Sequence, residues 1–336
     1  MSLTTRTTRT TRARRTRNRS LALAAGAAVL ALTLTACGSD AMGGMDHGAA
    51  GATATGAAGT ASGTPAGGHQ GHQMPGADAA TATATAAPGT AAPAADAPGL
   101  AAERNGYRLT SATESLPAGA PAEYRFTVTG PDGKPLTAFE PDQTKRMHFY
   151  AIRSDLTGFQ HLHPEMAADG TWTAPLAALT AGSWRLFASF VPDSGPGRGT
   201  GLVLSRTVTV PGEGAAAAAE LPAATGTATV DGYTVAVEGA PVAGKAGELK
   251  VTVSKDGKPV TDLQPYLETF AHLTAFRAGD QAFAHLHPEA KAAAGATGGP
   301  TLPFHAELPA SGDWRLFLQF QTGGQLHTVG LTLKVG

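Results

Sequence analysis

Residues 122–129, "AEYRFTVT", alternate polar and apolar side chains, with Tyr124, Phe126 and Val128 on one side. Alternation with a period of two predicts a half-buried strand. The strand runs into "GPDGKPLT", where Asp-Gly-Lys-Pro supplies a turn. The same succession occurs at 247–261 as "GELKVTVSKDGKPVT", and each copy is preceded by Gly-Tyr, at 106–107 and 232–233. The segments "MHFYAIRSDLTGFQHLHPE" (147–165) and "AHLTAFRAGDQAFAHLHPE" (271–289) then align without a gap. "AGSWRLFASF" (181–190) and "SGDWRLFLQF" (311–320) lead into closing strands "LSRTVTV" and "VGLTLKV". The chain therefore carries one unit twice. Many short alternating strands separated by turn signals predict an all-β fold of two tandem immunoglobulin-like antiparallel β-sandwiches. In Trp-Arg-Leu-Phe, Trp184 and Leu186 share one face and Arg185 and Phe187 the other, which assigns the tryptophan to the sandwich core.

The pattern fails elsewhere. From Gly38 to about Leu100 the chain is Ala, Gly, Thr and Pro with almost no large apolar residues, so it is expected to be a disordered tether. A shorter stretch, "PGEGAAAAAELPAATG" at 211–226, offers no amphipathic face and reads as a linker. The expected organisation is a signal peptide over 1–36, a tether over 37–100, one module over 101–211, a linker over 212–224 and a second module over 225–336.

Composition alters the picture mainly at the N-terminus. Residues 1–19 hold seven arginines and no acid, followed by the apolar run "LALAAGAAVLALTLTA" at 21–36 and the single cysteine, Cys37. A basic stretch, a short apolar run and small residues at its end describe an export signal. The run is short for a membrane span, which needs about 20 apolar residues. Leu34-Thr35-Ala36-Cys37 resembles the lipobox of bacterial lipoproteins. That resemblance implies cleavage before Cys37, its acylation, and a protein lipid-anchored at the extracytoplasmic face of the cell membrane. Cleavage would remove seven of the 25 basic residues and none of the 26 acids, leaving a formal charge of −8. An acidic exported chain is not expected to bind nucleic acid. With Cys37 acylated, no thiol is left for a disulfide or a thiolate nucleophile.

Three of the eleven histidines recur at fixed positions in each unit: His148, His161 and His163, then His272, His285 and His287. A hairpin turning near "SDLT", or near "GD" in the second copy, places His148 opposite His163 and His272 opposite His287. Opposed residues have Cβ atoms about 4.5–5.5 Å apart and residues two apart share a face. All three imidazoles of a unit should then project from one face, a result that a one-residue slip would destroy. The opposite face is apolar (Met147, Phe149, Ala151, Leu162; Ala271, Leu273, Ala275, Leu286) and is assigned to the core. The histidine face is mixed, with Tyr150 or Thr274 beside the histidines and Ile152 and Phe159, or Phe276 and Phe283, nearer the turn, and is expected to be an accessible site with a hydrophobic rim. Three neutral imidazoles suit copper or zinc. Glu165 and Glu289 are candidates for an additional ligand or an outer partner. The competing reading is a strand end whose histidines only bond to neighbouring backbone. His305 and His327 have no counterparts in the first unit and are assigned to surface or strand.

The tether adds Met42, Met45, His47, His69, His72 and Met74 in otherwise featureless sequence. Thioether with imidazole is a soft ligand set favouring copper. These stretches resemble the Met/His-rich segments of exported copper-handling proteins. The units themselves, through "DGKP" after a strand and the late "G-x-W-R-L", resemble YtkA-like and copper-resistance-type β-sandwich domains, but lack those domains' methionine-rich motif. The functional expectation is a non-enzymatic, surface-anchored metal-binding lipoprotein. The alternative is an adhesive or scaffolding protein with structural histidines. A metal-dependent hydrolase would have only Glu165 or Glu289 as general base.

Overall fold

A computed structural model describes residues 99–215 and 217–336. The signal, Cys37 and the tether's Met42, Met45, His47, His69, His72 and Met74 lie outside the described residues. Every regular element among the described residues is a strand, nineteen in all between Glu103 and Val335, and every strand ladder is antiparallel.

In the first module two sheets face each other. One runs Glu103–Arg104, Tyr107–Thr110, Ala122–Thr129, Thr171–Leu176, Glu165–Met166; the other runs Leu202–Val210, Gly182–Pro192, His148–Arg153, Gln160–Leu162, with Phe139–Glu140 on its flank. The alternation of Ala122–Thr129 turns Tyr124, Phe126 and Val128 inward, where Phe126 stacks on Phe149 at 5.0 Å. Trp184 is buried as its spacing predicts and donates its indole N–H to the Thr180 carbonyl at 2.8 Å. Its counterpart Trp314 does the same to Ala310 at 2.9 Å. Gly158, at φ 68°, lies so close to the Trp184 indole that any Cβ there would overlap it. The second module repeats the layers, but its strands form one continuous nine-stranded sheet. The join is Phe283–Pro288, which pairs with Ala271–Arg277 at one end and with Thr301–Glu307 at the other. In the first module the corresponding strand breaks at His163-Pro164, and Glu165–Met166 belongs to the opposite sheet.

The hairpin register is the expected one. Phe149 faces Leu162 and Tyr150 faces His161, as Leu273 faces Leu286 and Thr274 faces His285. Phe149 and Ala151 enter the sandwich core; His148, Tyr150 and Ile152 point the other way. That other face is not open to solvent. All six residues of His148–Arg153 are buried, Phe149 and Ala151 in the sandwich core and Tyr150 and Ile152 against the second module. The expected hydrophobic rim is instead a second apolar core between the modules, joining Tyr150, Ile152, Leu156 and Phe187 to Phe276, Phe283 and Phe317. Phe159 stacks on Phe317 at 4.2 Å, and its counterpart Phe283 packs on Phe187, the counterpart of Phe317, at 5.5 Å. Such reciprocity is the mark of a two-fold contact between like surfaces.

The linker is fastened along this seam. The buried Arg153–Asp155 ion pair takes it from both sides. Arg153 donates to the Ala217 carbonyl at 2.6 Å, and Asp155 accepts from the Ala219 N–H at 2.9 Å. Leu221 then packs against the inter-module aromatic cluster.

Candidate metal centre

The seam brings the two histidine faces together. His148 and His272, equivalent residues, stack with centroids 5.6 Å apart and planes 6° from parallel. His161 lies 4.6 Å from His272, and His272 lies 4.6 Å from His285. His148 and His272 are 1% and 0% exposed. His161, His163 and His285 are half-buried, and His287 alone is exposed. The open three-histidine patch expected on each module is thus corrected to a single seam of imidazoles, closed by mutual burial.

Polar substitutions break the two-fold symmetry. Gln143 sits in the two-residue turn between Asp142 and Lys145, where its counterpart is Leu267. Its Oε1 accepts from His272 Nδ1 at 2.8 Å, and its Nε2 lies 3.4 Å from His285 Nε2. The Tyr150 hydroxyl, which has threonine as its counterpart, donates to His272 Nε2 at 3.1 Å. Burial pushes that phenol well above its ordinary pKa, so it keeps its proton. Both nitrogens of His272 are therefore committed, and this ring is structural.

The first module's trio is bonded differently. His148 Nε2 lies 3.0 Å from the Asp142 carbonyl, which only accepts, so Nε2 carries the proton and Nδ1 a lone pair. Gln319, reaching over from the second module, presents Oε1 to His161 Nδ1 at 2.6 Å and Nε2 to Thr328 Oγ1 at 3.3 Å. With the Gln319 amide in this orientation, His161 donates from Nδ1 and bears its lone pair on Nε2. His148 Nδ1 and His161 Nε2 stand 3.0 Å apart, two lone pairs facing each other. His163 stands beside them, its Nε2 buried with no hydrogen-bond partner. One ring nitrogen from each of His148, His161 and His163 lies within 4.8 Å of the others, the one such convergent group among the described residues. Three imidazoles converging on one point, one of them with a buried nitrogen that has no partner, fit a cation with nitrogen ligands.

Burial holds these rings neutral, the form that ligates. It lowers the pKa of His148, with Lys145 adding to the effect and the Asp142 carbonyl opposing it. It pushes His161 and His272 well below the ordinary imidazole range, and brings His163 to about 4 and His285 to about 3. In 15N NMR at neutral pH without metal, His161 is expected as the Nδ1–H tautomer. An Nε2–H tautomer would turn the His148 contact into an ordinary hydrogen bond and remove the lone-pair conflict.

The remaining candidates lie apart. Glu165 and Glu289 are exposed, and neither carboxylate belongs to the convergent group. His305 is exposed on Thr301–Glu307, opposite His287. His327 is buried against Tyr233 and Phe320 and bonds Asp231 Oδ2 at 2.7 Å, a structural role. Gln143 and Gln319 were not among the residues the sequence singled out; glutamines carry no spacing signature, and their partners lie 129 and 158 positions away.

The sequence profile of a domain of unknown function, DUF8832, matches residues 102–200 and again 228–336. The chain belongs to the DUF8832 family. Its two DUF8832 copies coincide with the two β modules of the fold. No curated protein matches the chain. Among solved structures it is similar to FdeC, a broadly conserved Escherichia coli adhesin, at 14% identity and a TM-score of 0.22, covering 69% of this chain and 64% of that one. It is also similar to a DUF4785 family protein from Legionella pneumophila, at 11% identity and a TM-score of 0.23, covering 68% of this chain and 57% of that one. Salmonella alpha-2-macroglobulin reacted with methylamine gives 11% identity and a TM-score of 0.23, covering 72% of this chain and 15% of that one. The chain spans less than two thirds of each of these structures. Likeness at that level carries no argument about function.

Proposed function

We propose that this DUF8832 protein is a non-enzymatic metal-binding lipoprotein, anchored through Cys37 at the extracytoplasmic face of the membrane, that holds one copper or zinc ion. The holding residues are His148, His161 and His163. The observation that carries the reading is the pair of imidazole nitrogens opposed at 3.0 Å beside the partnerless His163 nitrogen, in a convergent three-histidine group. A neutral imidazole trio binds Cu2+ more tightly than Zn2+ and leaves a position for water or a further ligand. The tether's methionines and histidines add a soft set suited to collecting copper before it reaches the modules.

One ion per chain, not one per module, is the consequence of Gln143 and Tyr150 occupying His272. Titration with Cu2+ and with Zn2+ tests this on the chain with Met42, Met45, His47, His69, His72 and Met74 replaced by alanine. One tight equivalent is expected. Two equivalents contradict the asymmetry, and none contradicts metal binding by the modules.

A further inference from the structure

His161 is the one member of the trio that the second module holds by a hydrogen bond. Its Nδ1 meets Gln319, which is 4% exposed and stands on Gly312–Thr322 with His272 opposite it on one side and Thr328 on the other. The first module has Ser189 at the equivalent position, opposite His148. A serine is too short to cross the seam, and His285, the counterpart of His161, meets Gln143 instead.

Two glutamines thus cross the seam in opposite directions, with opposite results. Gln143 spans two rings, with Oε1 on His272 Nδ1 at 2.8 Å and Nε2 towards His285 Nε2 at 3.4 Å. Gln319 touches one ring only, at the nitrogen turned away from His148, and its amide N–H goes to Thr328 Oγ1 of its own module. The His161 nitrogen that faces His148 is left to the trio.

The partner at Nδ1 decides what His161 can do at Nε2. A neutral imidazole carries a single ring proton. With a carbonyl oxygen at Nδ1 the proton sits there, and Nε2 keeps its lone pair. Without that acceptor the proton is better placed on Nε2, where His148 Nδ1 accepts it across 3.0 Å. That bond would engage both facing nitrogens and close the site.

Resting on the metal-binding reading above, we propose that Gln319 is a positioning residue of the metal centre, holding His161 from the second module with Nδ1 protonated and Nε2 free for the ion. The module that holds no ion thereby sets the affinity of the one that does. Outer partners of this kind are worth about 10–100-fold in metal affinity.

The test compares Gln319→Leu, Gln319→Glu and Phe317→Leu in the chain whose tether methionines and histidines are alanine. The tautomer of His161 is read by 15N NMR without metal, and affinity by Zn2+ titration. Gln319→Leu removes the acceptor at similar size. It is expected to move His161 to the Nε2–H tautomer and to weaken Zn2+ binding about 10–100-fold. Gln319→Glu, whose carboxylate only accepts, is expected to keep Nδ1–H and at least the parent affinity. Phe317→Leu takes the stack with Phe159 out of the same seam and is expected to leave tautomer and affinity as in the parent. Parent tautomer and affinity in Gln319→Leu would overturn the positioning role while leaving the trio standing. An equal loss of affinity in Phe317→Leu or Gln319→Glu would also overturn it, by making seam packing the cause. A parent chain that takes no Zn2+ would overturn both proposals, and that result is distinct from either of the others.

Discussion

His163→Ala weakens metal binding by at least about 100-fold while leaving the protein's stability within about 1 kcal/mol of the parent. The two halves of that expectation come from one fact. His163 Nε2 is buried without a partner, so the folded chain gains no hydrogen bond from it and loses none when it is removed. Deleting an unsatisfied buried polar group is close to neutral, in contrast to deleting one member of a bonded pair. For a bound ion His163 is one of three protein ligands, and its loss leaves two. His272→Ala should behave in the opposite way. It strands the Tyr150 hydroxyl and the Gln143 carbonyl oxygen, both now bonded to that ring, and opens a void beneath them. A loss of about 2–4 kcal/mol is expected, with the ion still bound at one equivalent. Isothermal titration and urea unfolding on the two variants check the pair. Equal stability losses, or equal binding losses, would remove the distinction drawn between a holding trio and a structural ring.

Much of this arrangement was legible in the sequence because short-range pattern encodes it. Period-two alternation places Tyr124, Phe126, Phe149 and Trp184 in the core, and the four-residue loops after Arg153 and Arg277 fix the register that sets His148 against His163. What lies beyond the histidine face was not legible. His148–Arg153 is buried on both faces, yet "HFYAIR" reads as half-exposed because the second face mixes imidazole and phenol with isoleucine. A face covered by a neighbouring module carries no periodicity different from a face covered by water. The duplication also suggested two like sites. The difference resides in single exchanges, Gln143 against Leu267 and Tyr150 against Thr274, whose meaning appears only once the modules are seen to oppose one another.

Acid should loosen this seam well before it affects the carboxylates. Five histidines have native pKa values depressed by burial, with His163 at about 4 and His285 at about 3, whereas in the unfolded chain each returns to about 6.5. Above about 6.5 both states are neutral and the rings contribute no pH dependence. As the pH falls below that value the unfolded chain takes up protons that the native seam refuses, so stability falls. The loss continues until the native rings also protonate, which for His163 and His285 comes near 4 and 3. Each group acting fully contributes about 1.4 kcal/mol per pH unit in that window. A drop in melting temperature of at least about 20 °C is expected between pH 7 and pH 5. Asp155 and Asp280, whose pKa values are lowered in the fold, act in the same direction but only below about 4. His285→Gln removes one of the titrating rings and should flatten the slope between pH 6.5 and 5. A melting temperature constant from pH 7 to pH 5 would mean that the rings are not held neutral by burial.

The ion's position is the most direct test of the account. Crystals of the Zn2+-loaded chain, measured at the zinc absorption edge, should show one anomalous peak about 2.0–2.1 Å from His148 Nδ1, His161 Nε2 and a ring nitrogen of His163. A peak on His272, or density in both modules, would contradict the single asymmetric centre inferred from those opposed lone pairs.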